Sequence, residues 1–187
     1  MKISCTVNNT SELETKKTDT FGINKKEQYY LTKGEEYTVY AVGEISGNTW
    51  YSILDGGSNA PLWNPSILFE ITDNRLSRHW VFSLEENEGF KTTFLSFPEW
   101  ANDPYYYGNL IEGESDDPTA LVFRRYKDLM DLEFPDKNIE EIAQVGNESW
   151  LICPCCLDAW ECNNTLDGMV KCPKCTRIIH NPRYAEL

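Results

Sequence analysis

The sequence predicts an α+β protein: a small antiparallel β-barrel or sandwich body, a helical segment after it, and a cysteine-rich segment at the C-terminal end. Three observations carry this prediction. Residues 27–97 hold short runs of β-branched and aromatic residues broken by Gly, Asn and Asp, the mark of strands between tight turns. Residues 98–147 switch to apolar residues at helical spacing. Six of the seven cysteines then fall between Ile152 and Cys175.

Ile3, Cys5 and Val7 alternate as in a short edge strand, and the polar stretch from Asn8 to Lys26 reads as a loop. Within "YYLTKGEEYTVYAVGEISGNTWYSILDGG", Ser46-Gly47-Asn48 separates two β-prone runs, predicting a hairpin from Tyr37 to Ile45 and from Thr49 to Leu54. "SILFEI", "HWVFSL" and "TTFLSF" add three short strands. Pro98 suits the first turn of a short helix carrying Trp100. Asp117-Pro118 is an N-cap followed by Pro at the first helical position, and Leu121, Phe123, Tyr126, Leu129, Met130 and Phe134 follow at helical spacing, so a helix is expected from Pro118 to Glu133, ended by Pro135. A shorter helix is expected at Ile139 to Gln144, and strands between turns from about 148. The expected organisation is an acidic α+β body, 1–147, β-rich over 27–97 and helical over 98–147, followed by a cysteine segment, 148–187.

Apolar residues make up 41% of the chain and aromatics 13%, too much large apolar surface for a disordered protein. No apolar run follows the first Lys and none approaches the roughly 20 residues of a membrane span, so the expected compartment is the cytosol and no membrane is involved. Reducing conditions there favour metal ligation over disulfides. The net charge is −13, and it is unevenly placed. Residues 1–150 hold 13 Lys and Arg against 26 Asp and Glu, while from Leu151 onward four cations balance four anions. Such a body repels nucleic-acid phosphate and attracts basic partners.

Cys153-x2-Cys156 and Cys172-x2-Cys175 are two pairs separated by fifteen residues. Two residues between thiols let both sulfurs of a tight turn reach one ion, and two such turns complete a tetrahedral four-thiolate shell. Zinc is favoured over iron because nothing indicates a redox role. A thioredoxin-like use of the first pair would leave the second unexplained. Cys155 offers the wrong separation for a ligand, Cys162 reads as a core residue, and His180 as a packing or hydrogen-bonding residue. The pairs, written "CPCC" and "CPKC", resemble the two knuckles of a zinc ribbon, a knuckle shared with rubredoxin. The resemblance covers roughly Trp150 to Tyr184 and implies structural Zn2+ held by Cys153, Cys156, Cys172 and Cys175. It departs where the pattern commonly has Gly and this chain has Leu157 and Thr176. In the body, "LTKGEEYTVYAV" followed by a hairpin resembles the opening of SH3-like barrels and the β-rich build of bacterial immunity-type proteins.

The chain lacks a phosphate loop, a Gly-x-Ser-x-Gly elbow and a His-Glu-x-x-His motif, so no catalytic residues are assigned and no enzyme activity is expected. His79 and His180, its two histidines, fall in separate segments. Three adjacent tyrosines cannot all face inward on one element, which makes Tyr105, Tyr106 and Tyr107 interface candidates. The functional expectation is a cytosolic, non-enzymatic zinc protein that binds and masks a basic protein partner. Immunity proteins acting on basic nuclease toxins are its concrete form. A nucleic-acid or transcription-linked ribbon using Lys171, Lys174, Arg177 and Arg183 is the alternative, disfavoured by charge.

Overall fold

The computed structural model describes residues 1–87, 90–147 and 149–185; position 148, the expected start of the last segment, lies outside them. The chain divides into two compact units, Met1–Lys127 and Asp128–Leu187.

In the first unit, β1 (Lys2–Cys5) is followed by α1 (Thr15–Phe21), β2 (Glu36–Thr38), β3 (Ala41–Ile45), β4 (Asn48–Ile53), β5 (Leu62–Pro65), β6 (Phe69–Asp73), β7 (Val81–Asn87) and β8 (Phe90–Ser96). The short helices α2 (Pro98–Ala101) and α3 (Tyr106–Glu112) follow, then α4 (Pro118–Glu133), within which the division between the units falls. The strands form two antiparallel sheets, of order β5-β4-β3-β8-β7 and β2-β1-β6. Mixed helices and antiparallel sheets make the protein α+β, as expected. Among the described residues neither sheet closes into a barrel: β5 and β7 remain the two edges of the larger one, and Pro65 at the end of β5 has no amide N–H with which to extend it.

The hairpin turn is tighter than the sequence suggested. Ile45 pairs directly with Asn48, leaving Ser46 and Gly47 as a two-residue loop with φ of 52° and 76°. Positive φ at both positions is the turn whose twist matches the flanking strands, and Gly47 takes its share without steric cost. The first expected strand is split. Thr38 pairs with Lys2 in the smaller sheet, and only from Ala41 does the chain enter the larger one.

Ile3, Cys5, Val39, Tyr51, Ile53 and Leu68 fill the core where the two sheets meet. β1 is therefore the central strand of its sheet, not the expected edge, because both neighbours need Ile3 and Cys5 as core. The region from Asn8 to Lys26 is not a loop throughout: α1 occupies part of it, capped by Gly22 and packed through the Phe21 ring at 6.2 Å from Trp50. Its order comes from polar contacts. Buried Thr10 donates to the Asn24 carbonyl at 2.6 Å and accepts from the Glu27 N–H at 2.8 Å.

A second, aromatic cluster joins α2, α3 and α4 to the larger sheet. Phe97 stacks on Tyr126, with ring centroids 4.3 Å apart and planes 9° from parallel, and meets Trp100 and Tyr106 edge-on. α4 has the expected bounds, and its start is capped by Asp117, whose carboxylate accepts the Thr119 N–H at 2.7 Å. Phe123, Tyr126, Met130 and Phe134 are buried, whereas Leu121 points to solvent.

The second unit carries β9 (Gln144–Val145), β10 (Trp150–Ile152), β11 (Ala159–Glu161), β12 (Met169–Lys171) and β13 (Ile178–His180). They form a sheet of order β11-β10-β9 and the hairpin β12-β13. The helix expected at Ile139 to Gln144 does not form. The segment runs extended: the Ala143 N–H donates to His180 O at 3.0 Å, the His180 N–H to Glu141 O at 2.8 Å, and Gln144 pairs with Ile152. A helix this short gains little alone, and β-branched Ile142 and Val145 suit an edge strand.

Gly168 fits against Pro135 so closely that an added Cβ would lie 2.6 Å from the proline N and Cδ. Since its partner is a rigid ring rather than a flexible side chain, Gly168→Ala is expected to destabilise the second unit by about 1–3 kcal/mol. Thermal unfolding of the zinc-loaded protein checks this; an unchanged midpoint would contradict it.

Candidate metal centre

The four predicted ligands converge. The sulfurs of Cys153, Cys156, Cys172 and Cys175 all lie within 4.8 Å of one another, with Cys153 to Cys175 and Cys156 to Cys172 each at 3.7 Å. A tetrahedron with metal–sulfur bonds of about 2.3 Å has sulfur–sulfur edges of about 3.8 Å. The thiols thus stand at the separations that a tetrahedral ion needs, and the four-cysteine group is suited to hold a metal ion. An all-sulfur donor set points to zinc or iron among the common metals.

The two knuckles are built alike. In the first, the Leu157 N–H donates to Cys153 O at 3.0 Å and the Cys153 N–H to Asp158 O at 2.9 Å; in the second, the Thr176 N–H donates to Cys172 O at 3.0 Å and the Cys172 N–H to Arg177 O at 2.9 Å. Each turn closes through one residue of positive φ. These are Leu157 and Thr176, both at 59°, the two positions where the ribbon pattern commonly has Gly. The backbone is therefore the expected one, and the departure in sequence is borne as strain, because a Cβ in this region meets the following carbonyl. Leu157→Gly is expected to stabilise the metal-bound unit by about 0.5–1 kcal/mol, read as a raised unfolding midpoint; a lowered one would contradict this.

Backbone dipoles prepare the site for thiolate. Burial opposes ionisation of Cys153, but the N–H groups of Cys156 and Cys155, with the neighbouring Cys175 and Cys156 thiols, outweigh it and lower its pKa to about 6. At Cys175 the Arg177 N–H favours the anion, yet burial and the sulfurs of Cys172, Cys156 and Cys153 prevail and push it up to about 12. Cys156 is likewise raised: the Asp158 N–H favours its thiolate, but burial and the Cys172 and Cys153 sulfurs oppose it more. Because the unit is expected to fold only around its metal, its four thiols start near the ordinary value of about 8.5, and metal uptake at pH 7 is expected to release close to four protons. Calorimetry in buffers of different ionisation enthalpy measures that release, and a value near zero would contradict it. Protons compete with the metal for all four thiolates, so the bound state weakens as pH falls.

Leu151, Val170, Ile179 and Ala143 form a small core around Cys153 and Cys172, with Cys156, Trp160, Cys162 and Cys175 packed on it. Cys162 is a packing residue, as expected. Cys155 is exposed, 3.3 Å from an Arg177 guanidinium nitrogen, and His180 meets the Ile139 carbonyl through Nε2 at 2.7 Å. Three framework residues escaped the sequence reading. Asn181 is buried and donates to the carbonyls of Asn164 and Asp167 at 2.8 and 2.9 Å. Arg183 ties Cys162 O, at 2.7 Å, to the carbonyls of Asn147 and Trp150. Glu141 accepts from Arg177 at 3.4 Å. A lone Asn or Arg carries no spacing signal, so nothing in the sequence marked them.

The tyrosine triplet is divided by the fold. Tyr105 is 75% exposed, while Tyr106 is 4% exposed and donates its hydroxyl to Thr119 O at 2.9 Å. Tyr107 is half-buried, stacked on Trp100 at 5.4 Å. Tyr106 is thus corrected from an interface candidate to a core residue, because α3 turns it onto Phe97 and Trp100. His79 packs edge-on to Tyr126 at 6.2 Å. No helix among the described residues is long and apolar enough to cross a membrane.

Comparison with known proteins gives no match, whether to a family model, to a curated protein or to a solved structure.

Proposed function

We propose that the chain is a cytosolic, non-enzymatic zinc protein that binds and masks a basic surface on another protein, in the manner of immunity proteins that block basic nuclease toxins. In this reading the metal is a staple. A closed four-thiolate shell has no open position for water and so no Lewis-acid chemistry. What supports the reading most is the charge of the folded units. Because the second unit begins at Asp128, it takes in an acidic run ahead of the ribbon and holds five Lys and Arg against eleven Asp and Glu, a net of −6. A zinc–tetrathiolate centre adds about two further negative charges. The first unit holds 12 against 19, a net of −7.

Three of the ribbon's four cations are also engaged. Arg183 is bound to carbonyls, Arg177 to Glu141, and Lys174 lies 3.6 Å from Asp158. Both observations weigh against phosphate binding and for a cationic partner. Affinity capture with the zinc-loaded chain, followed by a salt gradient, tests the proposal. A basic protein released as salt rises supports it. Capture insensitive to salt, or retention of RNA or DNA at low salt in filter binding, would overturn it.

A further inference from the structure

We propose that the outer edge of β7 is the docking site for an extended, basic segment of the partner, which adds to the five-stranded sheet as a sixth strand. The inference rests on the masking function proposed above. Sheet edges are usually blunted by shortness, proline, charge or a bulge, because a bare edge invites pairing. Other edges here follow that rule. β5 is four residues long, ends on Pro65 and follows Pro61; β2 has three residues; β6 sets Ile71 among Glu70, Thr72 and Asp73.

β7 follows it only through the charges of Glu85 and Glu86. It is seven residues long, contains neither Pro nor Lys, and pairs with β8 through seven consecutive positions without a register shift. Among the described residues β8 is its sole strand partner. Its apolar side chains are bare: Phe82 is 66% exposed and Leu84 54%. Alternation puts both on one face of the sheet. There Phe82 continues the row of Leu95 and Val42, and Leu84 the row of Thr93 and Glu44.

The charge around this edge selects the occupant. The strand's own sequence continues into Glu85-Glu86, and the unit carrying it has a net charge of −7. A second copy of the chain would bring the same acidic surface against itself. An extended segment alternating apolar residues with Lys or Arg satisfies all three features: main-chain groups pair with the edge, apolar side chains cover Phe82 and Leu84, and the intervening cations fall on the opposite face, that of Glu85.

The test uses full-length zinc-loaded protein titrated with a short peptide of alternating Lys and Val, with Glu–Val and Lys–Pro peptides as controls. The expected result is binding of the Lys–Val peptide alone, slowed amide exchange over residues 81–87, and affinity at least roughly tenfold weaker in Phe82→Ser/Leu84→Ser. Glu85→Lys, which leaves the apolar pair intact, is expected to weaken binding to a similar degree. Binding with protection elsewhere, or unaffected by both the serine pair and Glu85→Lys, would overturn the edge assignment. So would failure of the Lys–Val peptide to bind while a basic protein is still captured and released by salt; that pattern leaves the masking function standing. Concentration-dependent protection of 81–87 without peptide would overturn it in favour of a second copy.

Discussion

Cys172→Ser is expected to abolish stoichiometric zinc binding and to unfold the second unit. The Cys172 sulfur is fully buried, 3.7 Å from Cys156, in the middle of the unit's small core. A serine hydroxyl there is a poor zinc ligand and leaves an incomplete shell. For structural zinc, metal binding is folding: apparent binding free energies of about 10–16 kcal/mol at neutral pH are available only to the folded chain. A core as small as this one cannot replace that term. The measurements are metal content after gel filtration and amide exchange over residues 150–180. Cys155→Ser, at an exposed position, is the control and is expected to keep its zinc. Full metal content in Cys172→Ser, or loss in Cys155→Ser, would contradict the ligand assignment.

Phe97→Ala is expected to cost the first unit about 3–5 kcal/mol, the range for deleting a fully buried aromatic ring. Phe97 has no exposed surface and touches Tyr126, Trp100 and Tyr106, so its loss opens a cavity bounded by rings from α2, α3 and α4. Large planar neighbours held on three helices collapse poorly, which favours the upper part of the range. At this chain length the unfolding midpoint should fall by roughly 10 °C or more. Tyr105→Ala, eight residues further along but 75% exposed, should change stability by no more than about 0.5 kcal/mol. A loss under about 1 kcal/mol at Phe97 would mean that the aromatic cluster is not a core.

The two positions show where sequence was readable and where it was not. Paired cysteines state their own geometry, since two intervening residues suffice for a shared ion, and Asp117-Pro118 marks the start of α4 through capping chemistry that needs no tertiary context. The Ser46-Gly47 turn was legible for the same local reason. α1 was not: its inward face is little more than Thr18 and Phe21, and the rest of its order comes from Thr10 reaching Asn24 and Glu27, pairings with no periodic signature. The segment at 139–145 has apolar residues compatible with either period, and the tertiary edge offered by β10 and His180 decided it. Tyr105 and Tyr106 are identical letters on either side of a helix start, and only the fold tells them apart. Within the metal site the ligands were legible, whereas the Asn181 and Arg183 hydrogen bonds that hold the frame were not.

The central claim is the closed four-sulfur centre, and X-ray absorption at the zinc edge of the native protein tests it most directly. One zinc per chain with four sulfur neighbours at about 2.3 Å is the predicted result. A shell containing nitrogen or oxygen, or a protein purified without stoichiometric metal and folded throughout residues 150–180, would contradict it.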